Sequence, residues 1–204
     1  MPPQPLLTAS PDLFDQTEPR SLGLTTIPAN HTLLYDAADN DFHFCHHPSL
    51  VIFDDSLYCA WSNGPNGEDE PTQRILVSST ADGKTWTTPT TLTAPSNDSE
   101  VFVAAGFHTH DDTLTAYYTR TFGENFHEDV GLFAITSTDG ANWSNPTRIT
   151  NGFFIEGPRT LANGRLILGG EHVGEVRSDL RMRLLYTDNP DGLTGWTEAP
   201  ITPT

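Results

Sequence analysis

The chain has 204 residues, 36% of them hydrophobic, with 4 Trp and 11 Phe; this suffices for one substantial core and excludes a disordered tail. Asp and Glu number 27 against 10 Lys and Arg, and the resulting net charge of -17 repels polyanions, so nucleic acid is not an expected partner. No run approaches the roughly 20 apolar residues of a membrane span, so no membrane partner is expected either.

The opening Met1-Pro2-Pro3-Gln4-Pro5 lacks the basic start and apolar run of a secretory signal, and secreted and cytoplasmic locations both stay open. Residues 1–40, rich in Pro, Thr and Asp, read as an irregular lead-in, with 31–35 a candidate ring-closing strand. Residues 50–53 and 57–61 are two apolar strands around the Asp54-Asp55 turn. A Gly, Pro, Asn and acidic loop over 63–71 leads to a third strand at 74–79, and Trp86 opens a Thr-rich fourth strand ending near Leu92. Cys45 and Cys59 are the only cysteines. They fall on neighbouring strands of this unit and are expected as two buried thiols rather than a disulfide.

The same order recurs. A second unit has strands at 101–107, 114–119 and 131–136, a loop over 121–129, and Trp143. A third has strands at 158–161, 166–169 and 184–187, a hairpin turn at Asn163-Gly164, a polar loop to Arg181, and Trp196. Each unit places a turn between its third and fourth strands: Thr80-Ala81-Asp82-Gly83-Lys84-Thr85-Trp86 and Ser137-Thr138-Asp139-Gly140-Ala141-Asn142-Trp143, at a spacing of about 55 residues, with a looser copy from Asn189 to Trp196. The carboxylate suits a turn because it accepts backbone N–H bonds, and the glycine takes a backbone angle that other residues avoid. Four short antiparallel strands per unit is the plan of a β-propeller blade, so the fold class is all-β: a partial propeller of about three blades, near 41–97, 98–151 and 152–204, with almost no helix. Propellers generally close with about four to eight blades. Further C-terminal blades of a longer chain, or a second chain, are therefore expected to close the ring.

Blade geometry sorts residues by face. The segment leading into the first strand and the loop between second and third strands share one end, while the repeated Asp-Gly turns lie at the other. The first end collects His46, His47, Asn63, Glu68, Asp69, Glu70 and Arg74 from blade one. Blade two adds Glu100, Arg120, Glu124, His127 and Glu128, and blade three adds Glu156, Arg159, Glu171, His172, Arg177 and Arg181. Overlaying the units sets His46-His47-Pro48 opposite Glu156-Gly157-Pro158-Arg159, with the proline constant and the polar residues varying. That pattern suits a ligand site at a channel mouth. Glu68-Asp69-Glu70 is a carboxylate run able to supply an acid/base group or to ligate Ca²⁺, although no specific metal motif occurs and no cofactor is expected. Glu171-His172 is a candidate general-acid pair.

The two regular turns resemble Asp-boxes, or bacterial neuraminidase repeats, and on them the chain is similar to the sialidase-like β-propeller superfamily. The resemblance covers about residues 44–200 and is specific for fold, since in that superfamily the boxes lie away from the active centre. It implies a carbohydrate-active hydrolase cleaving a terminal sugar of a glycan from the channel mouth, with Glu156, Glu171, Glu68 and Asp69 as candidate catalytic carboxylates. His46, His47, Arg74, Arg159 and His172 are the candidate substrate-binding residues. The superfamily's Arg-Ile-Pro motif has its nearest counterpart in Thr26-Ile27-Pro28, without the arginine. Two other functions fit the same face. One is a polysaccharide lyase abstracting a proton beside a uronate carboxylate, with His46 or His47 as base and Arg159 as anchor; the other is a non-catalytic glycan-binding propeller using Phe122 and Phe126 for stacking.

Overall fold

Short apolar strands, buried on both faces at the middle of the first two units, pair into three sheets. The computed structural model describes residues 14–15, 17–18, 20–122, 129–171 and 182–199. The chain divides into two compact units, Met1–Leu33 and Leu34–Thr204. In the first, Asp15 N donates to Leu22 O at 2.8 Å and the Asp15 carboxylate accepts from the Thr17 hydroxyl at 2.6 Å, a locally bonded turn.

The second unit holds three four-stranded antiparallel sheets. The first is β1 (Phe44–Phe53), β2 (Ser56–Gly64), β3 (Arg74–Thr80) and β4 (Thr90–Thr93). The second is β5 (Val101–His110), β6 (Thr113–Thr121), β7 (Gly131–Ser137) and β8 (Thr147–Asn151), and the third is β9 (Arg159–Thr160), β10 (Leu166–Glu171), β11 (Met182–Thr187) and β12 (Thr197–Ala199). Within each sheet spatial order follows chain order, the meander of a propeller blade. Among the described residues the only helical turn is the 3-10 segment Ala37–Asp39, and no helix is long and apolar enough to cross a membrane.

Each blade buries one face against its neighbour. From β2 and β3, Tyr58, Ala60, Ile75 and Val77 meet Phe102, Ala104, Leu114, Ala116 and Tyr118 of blade two. The intervening residues of blade two, Tyr117, Leu132 and Ala134, turn the other way onto Phe154, Leu168 and Leu185 of blade three. On the remaining face of blade one, Cys59, Trp61 and Leu76 are covered by Leu34, Tyr35 and Trp86. Residues 31–35 thus carry no strand pairing, and Leu34 and Tyr35 act as apolar cover for the first blade.

The repeated turns join third to fourth strands. Asp82 Oδ1 accepts from Lys84 N at 2.8 Å, Thr85 N at 2.7 Å and the Thr80 hydroxyl at 2.9 Å, and Asp139 Oδ1 repeats the set with Ala141 N, Asn142 N and Ser137. The following Gly83 and Gly140 take φ of +69° and +68°, in the left-handed region that favours glycine. The backbone N–H donors hold the Asp82 carboxyl down to about 2 and that of Asp139 lower still. In the third copy Asp191 keeps one backbone donor, Leu193 N at 2.7 Å, while Asn189 and Thr187 bind Thr194, so the extra residue is absorbed without losing the turn. Trp143 and Trp196 each pack on the side of their blade that faces the preceding one.

Two expectations need correction. Cys59 is buried but Cys45 is exposed; both are free, and they sit on β1 and β2 out of register with each other. The first strand begins at Phe44, well before residue 50, because a bulge between His46 and Ser49 lets pairing with β2 continue on both sides of Pro48.

Candidate functional site

A proline inside a strand cannot donate to the ladder, so Pro48 is tolerated only where pairing is interrupted. The bulge supplies that interruption, and His47 takes φ +50°, an unusual conformation for a non-glycine residue. Holding it costs on the order of 1–3 kcal/mol, the kind of strain that persists where surrounding structure over-determines it. The consequence is directional: consecutive residues of a regular strand point to opposite faces, yet the His46 and His47 rings lie 4.1 Å apart.

Below the bulge, two glycines permit a close approach between blade two and the start of blade three. A side chain on Gly106, where φ is +81°, would meet Gly157 N at 2.6 Å, and one on Gly157 would meet Phe107 O at 2.7 Å. Upstream, Thr119 fastens the same segment: its hydroxyl donates to Phe154 O at 2.7 Å and accepts from Phe154 N at 2.9 Å. These contacts bring residues 155–159 opposite the β1 bulge. Between them lies a cavity of about 470 Å³ lined by His47, Pro48, Ser49, Phe107, Glu156, Pro158 and Arg159. Of the two overlaid segments, His47-Pro48 and Glu156-Gly157-Pro158-Arg159 line this one cavity, while His46 does not. Glu156 and Arg159 are exposed to it and pair with each other, Arg159 Nη2 donating to Glu156 Oε2 at 3.3 Å.

The remaining expected residues fall elsewhere. Glu68 lies beside His46, with Oε1 at 3.3 Å from Nδ1. Asp69 is paired with Gln73, whose Nε2 donates to Asp69 Oδ1 at 3.3 Å, and burial pushes the Asp69 carboxyl up against the opposing effect of that bond. Glu70 Oε2 accepts from Asn66 N at 3.0 Å within its own loop. Arg74 is spent on structure: Nε donates to Asn63 Oδ1 at 3.0 Å and its guanidinium lies 4.3 Å over the Phe42 ring. Arg120 stands 3.7 Å from Glu100 and over Phe133. Glu171 ends β10, where its backbone N and O bond those of Phe153, and it does not line the cavity. Glu124, Phe126, His127, Glu128, His172, Arg177 and Arg181 lie outside the described residues.

Sequence reasoning missed Gln73, Ser49 and Phe107. Gln73 is fully buried and bonds His46, Asp69 and Phe102 O at once, but nothing in its local sequence marks it. Phe107 is one of many strand aromatics; it follows the bulge between Ala104 and Phe107, packs in the core and also lines the cavity.

A family model described as the BNR repeat-like domain matches residues 55–203. No curated protein matches the chain significantly. Among solved structures, a protein of unknown function from Dyadobacter fermentans superposes with a TM-score of 0.58 at 18% identity, over 82% of this chain and 56% of that one. Trypanosoma rangeli sialidase, solved in complex with sialic acid, gives 0.61 at 14% identity over 78% of this chain and 30% of that one. A family 117 glycoside hydrolase from Zobellia galactanivorans gives 0.56 at 12% identity, over 83% and 59%. The chain thus spans little more than half of the longest-covered of these structures, and the likeness is one of fold.

Proposed function

The chain belongs to the BNR repeat-like domain family, whose fold here is sialidase-like, and from that premise we propose that it is a glycoside hydrolase acting on a terminal sugar of a glycan. The observation that carries this reading is the cavity joining His47 of blade one to Glu156 and Arg159 of blade three, groups more than a hundred positions apart in sequence. Its volume suits one sugar ring, and small-molecule sites of this kind combine apolar walls with a few convergent polar groups.

Glycosidases work through carboxyl groups flanking the scissile bond, and among the cavity-lining residues Glu156 is the one carboxylate. In this reading Glu156 exchanges the proton at the glycosidic oxygen. Arg159 donates to substrate hydroxyls or to a carboxylate, for which its planar guanidinium is suited. The 3.3 Å contact between Arg159 and Glu156 is an internal pairing that a bound substrate would displace. The second group falls to a residue outside this cavity.

The test is a panel of chromogenic terminal glycosides assayed with the whole protein and with Glu156→Gln. Loss of turnover by about 100-fold or more, the usual contribution of acid/base catalysis, with retained glycan affinity is expected. Undiminished turnover in Glu156→Gln removes that carboxylate from the reaction. A rise in ultraviolet absorbance from an unsaturated uronate product would select elimination instead.

A further inference from the structure

The two nitrogens of His46 are assigned by what faces them. Gln73 is fully buried and its amide orientation is fixed: Nε2 donates to Phe102 O at 3.0 Å and to Asp69 Oδ1 at 3.3 Å, while Oε1 accepts from Asp69 N at 3.2 Å. The atom 3.1 Å from His46 Nε2 is therefore an acceptor, and that nitrogen carries the hydrogen. The neutral ring then presents a bare lone pair at Nδ1, and facing it at 3.3 Å is Glu68 Oε1, a second acceptor. Two acceptors at this separation repel unless positive charge stands between them.

His47 supplies a third group. The strained bulge brings its ring to the same side as His46, and one atom from each of His46, His47 and Glu68 lies within 4.8 Å of the others. His47 Nδ1 is buried without a hydrogen-bond partner. A proton on His46 Nδ1 would satisfy Glu68 and leave His47 Nδ1 without a partner. A metal ion instead takes a lone pair from all three residues.

We propose that His46, His47 and Glu68 form a site for one divalent transition-metal ion of the zinc class, at the edge of the cavity that His47 also lines. Two imidazoles and a carboxylate are a three-ligand set that leaves a coordination position open, whereas Ca²⁺ and Mg²⁺ take shells of oxygen. Tetrahedral bonds of about 2.0–2.1 Å put neighbouring ligand atoms about 3.4 Å apart, which the 3.3 Å between His46 Nδ1 and Glu68 Oε1 already matches. Gln73 Oε1 on the far nitrogen of His46 is the outer-shell acceptor that fixes a ligating ring. The site stands apart from the hydrolase reading, because it rests on Nδ1 facing Glu68 rather than on Glu156.

The experiment is zinc titration of the chelator-treated protein against a chromogenic indicator, with Co²⁺ absorption to report geometry. One equivalent of Zn²⁺ should bind, and Co²⁺ should give the intense visible bands of a low-coordinate site. His46→Ala and Glu68→Gln should each weaken zinc binding by more than about 100-fold, the upper range for losing even an outer-shell partner. His108→Asn, which alters a ring 2.7 Å from Pro190 O, should leave it unchanged. Glu68 is 61% exposed, so Glu68→Gln keeps the fold and remains informative if His46→Ala does not. Zinc binding of equal strength in the wild type and in Glu68→Gln, or no stoichiometric binding by the wild type, overturns the proposal. Turnover is not read, so the metal site and the hydrolase can fail separately.

Discussion

Replacing Thr119 by valine tests whether one hydroxyl holds the segment that builds the cavity. Thr119 and Phe154 are both fully buried, and the hydroxyl satisfies the N–H and the C=O of Phe154 together. Valine has nearly the same shape but no polar atom. Both backbone groups would be left buried without that partner, at about 1–3 kcal/mol each, while the added methyl returns about 1 kcal/mol. The net loss is about 1–5 kcal/mol, centred near 3 kcal/mol. Thr119→Ser keeps the hydroxyl and loses one methyl, for about 1 kcal/mol. Urea unfolding of the three proteins, followed by tryptophan fluorescence, should therefore order them wild type, serine, valine, with valine well separated. A valine variant as stable as the serine variant would show that the hydroxyl does not secure blade three to blade two, and the account of how residues 155–159 are placed would fall.

Two further predictions concern the turns and the glycines. The folded Asp82 carboxyl titrates at about 2 and that of Asp139 lower, below their ordinary 3.8, so their contribution is present above about pH 4 and is lost as pH falls through those values. The melting-temperature gap between wild type and the Asp82→Asn, Asp139→Asn double variant should accordingly narrow from pH 5 toward pH 2; a constant gap would mean that the carboxylate charge is not what these turns use. Gly106→Ala forces a side chain into left-handed backbone and against Gly157 N, so it should destabilise by at least about 1–2 kcal/mol in chemical denaturation, and an unchanged midpoint would refute the close approach.

What the amino-acid sequence determined by itself is the local part: three repeats of strand, strand, strand, Asp-Gly turn and strand, because short apolar runs and turn chemistry act over a few residues. Asp82-Gly83 and Asp139-Gly140 were legible as turns since their hydrogen bonds stay within three residues. The overlay of His46-His47-Pro48 on Glu156-Gly157-Pro158-Arg159 reached as far as naming two segments at one end of the blades. Only the tertiary structure decided which of those polar residues meet. The bulge at His47 puts two adjacent imidazoles on one side, where alternation would separate them, and it takes a register shift against β2 to create it. Arg74 was drawn off to Asn63 and Phe42, and Gln73 gained its role, through contacts between strands and blades that no local pattern encodes. Burial is set by the sum of distant neighbours, so a repeat can declare its own blade while the cavity between blades belongs to their packing.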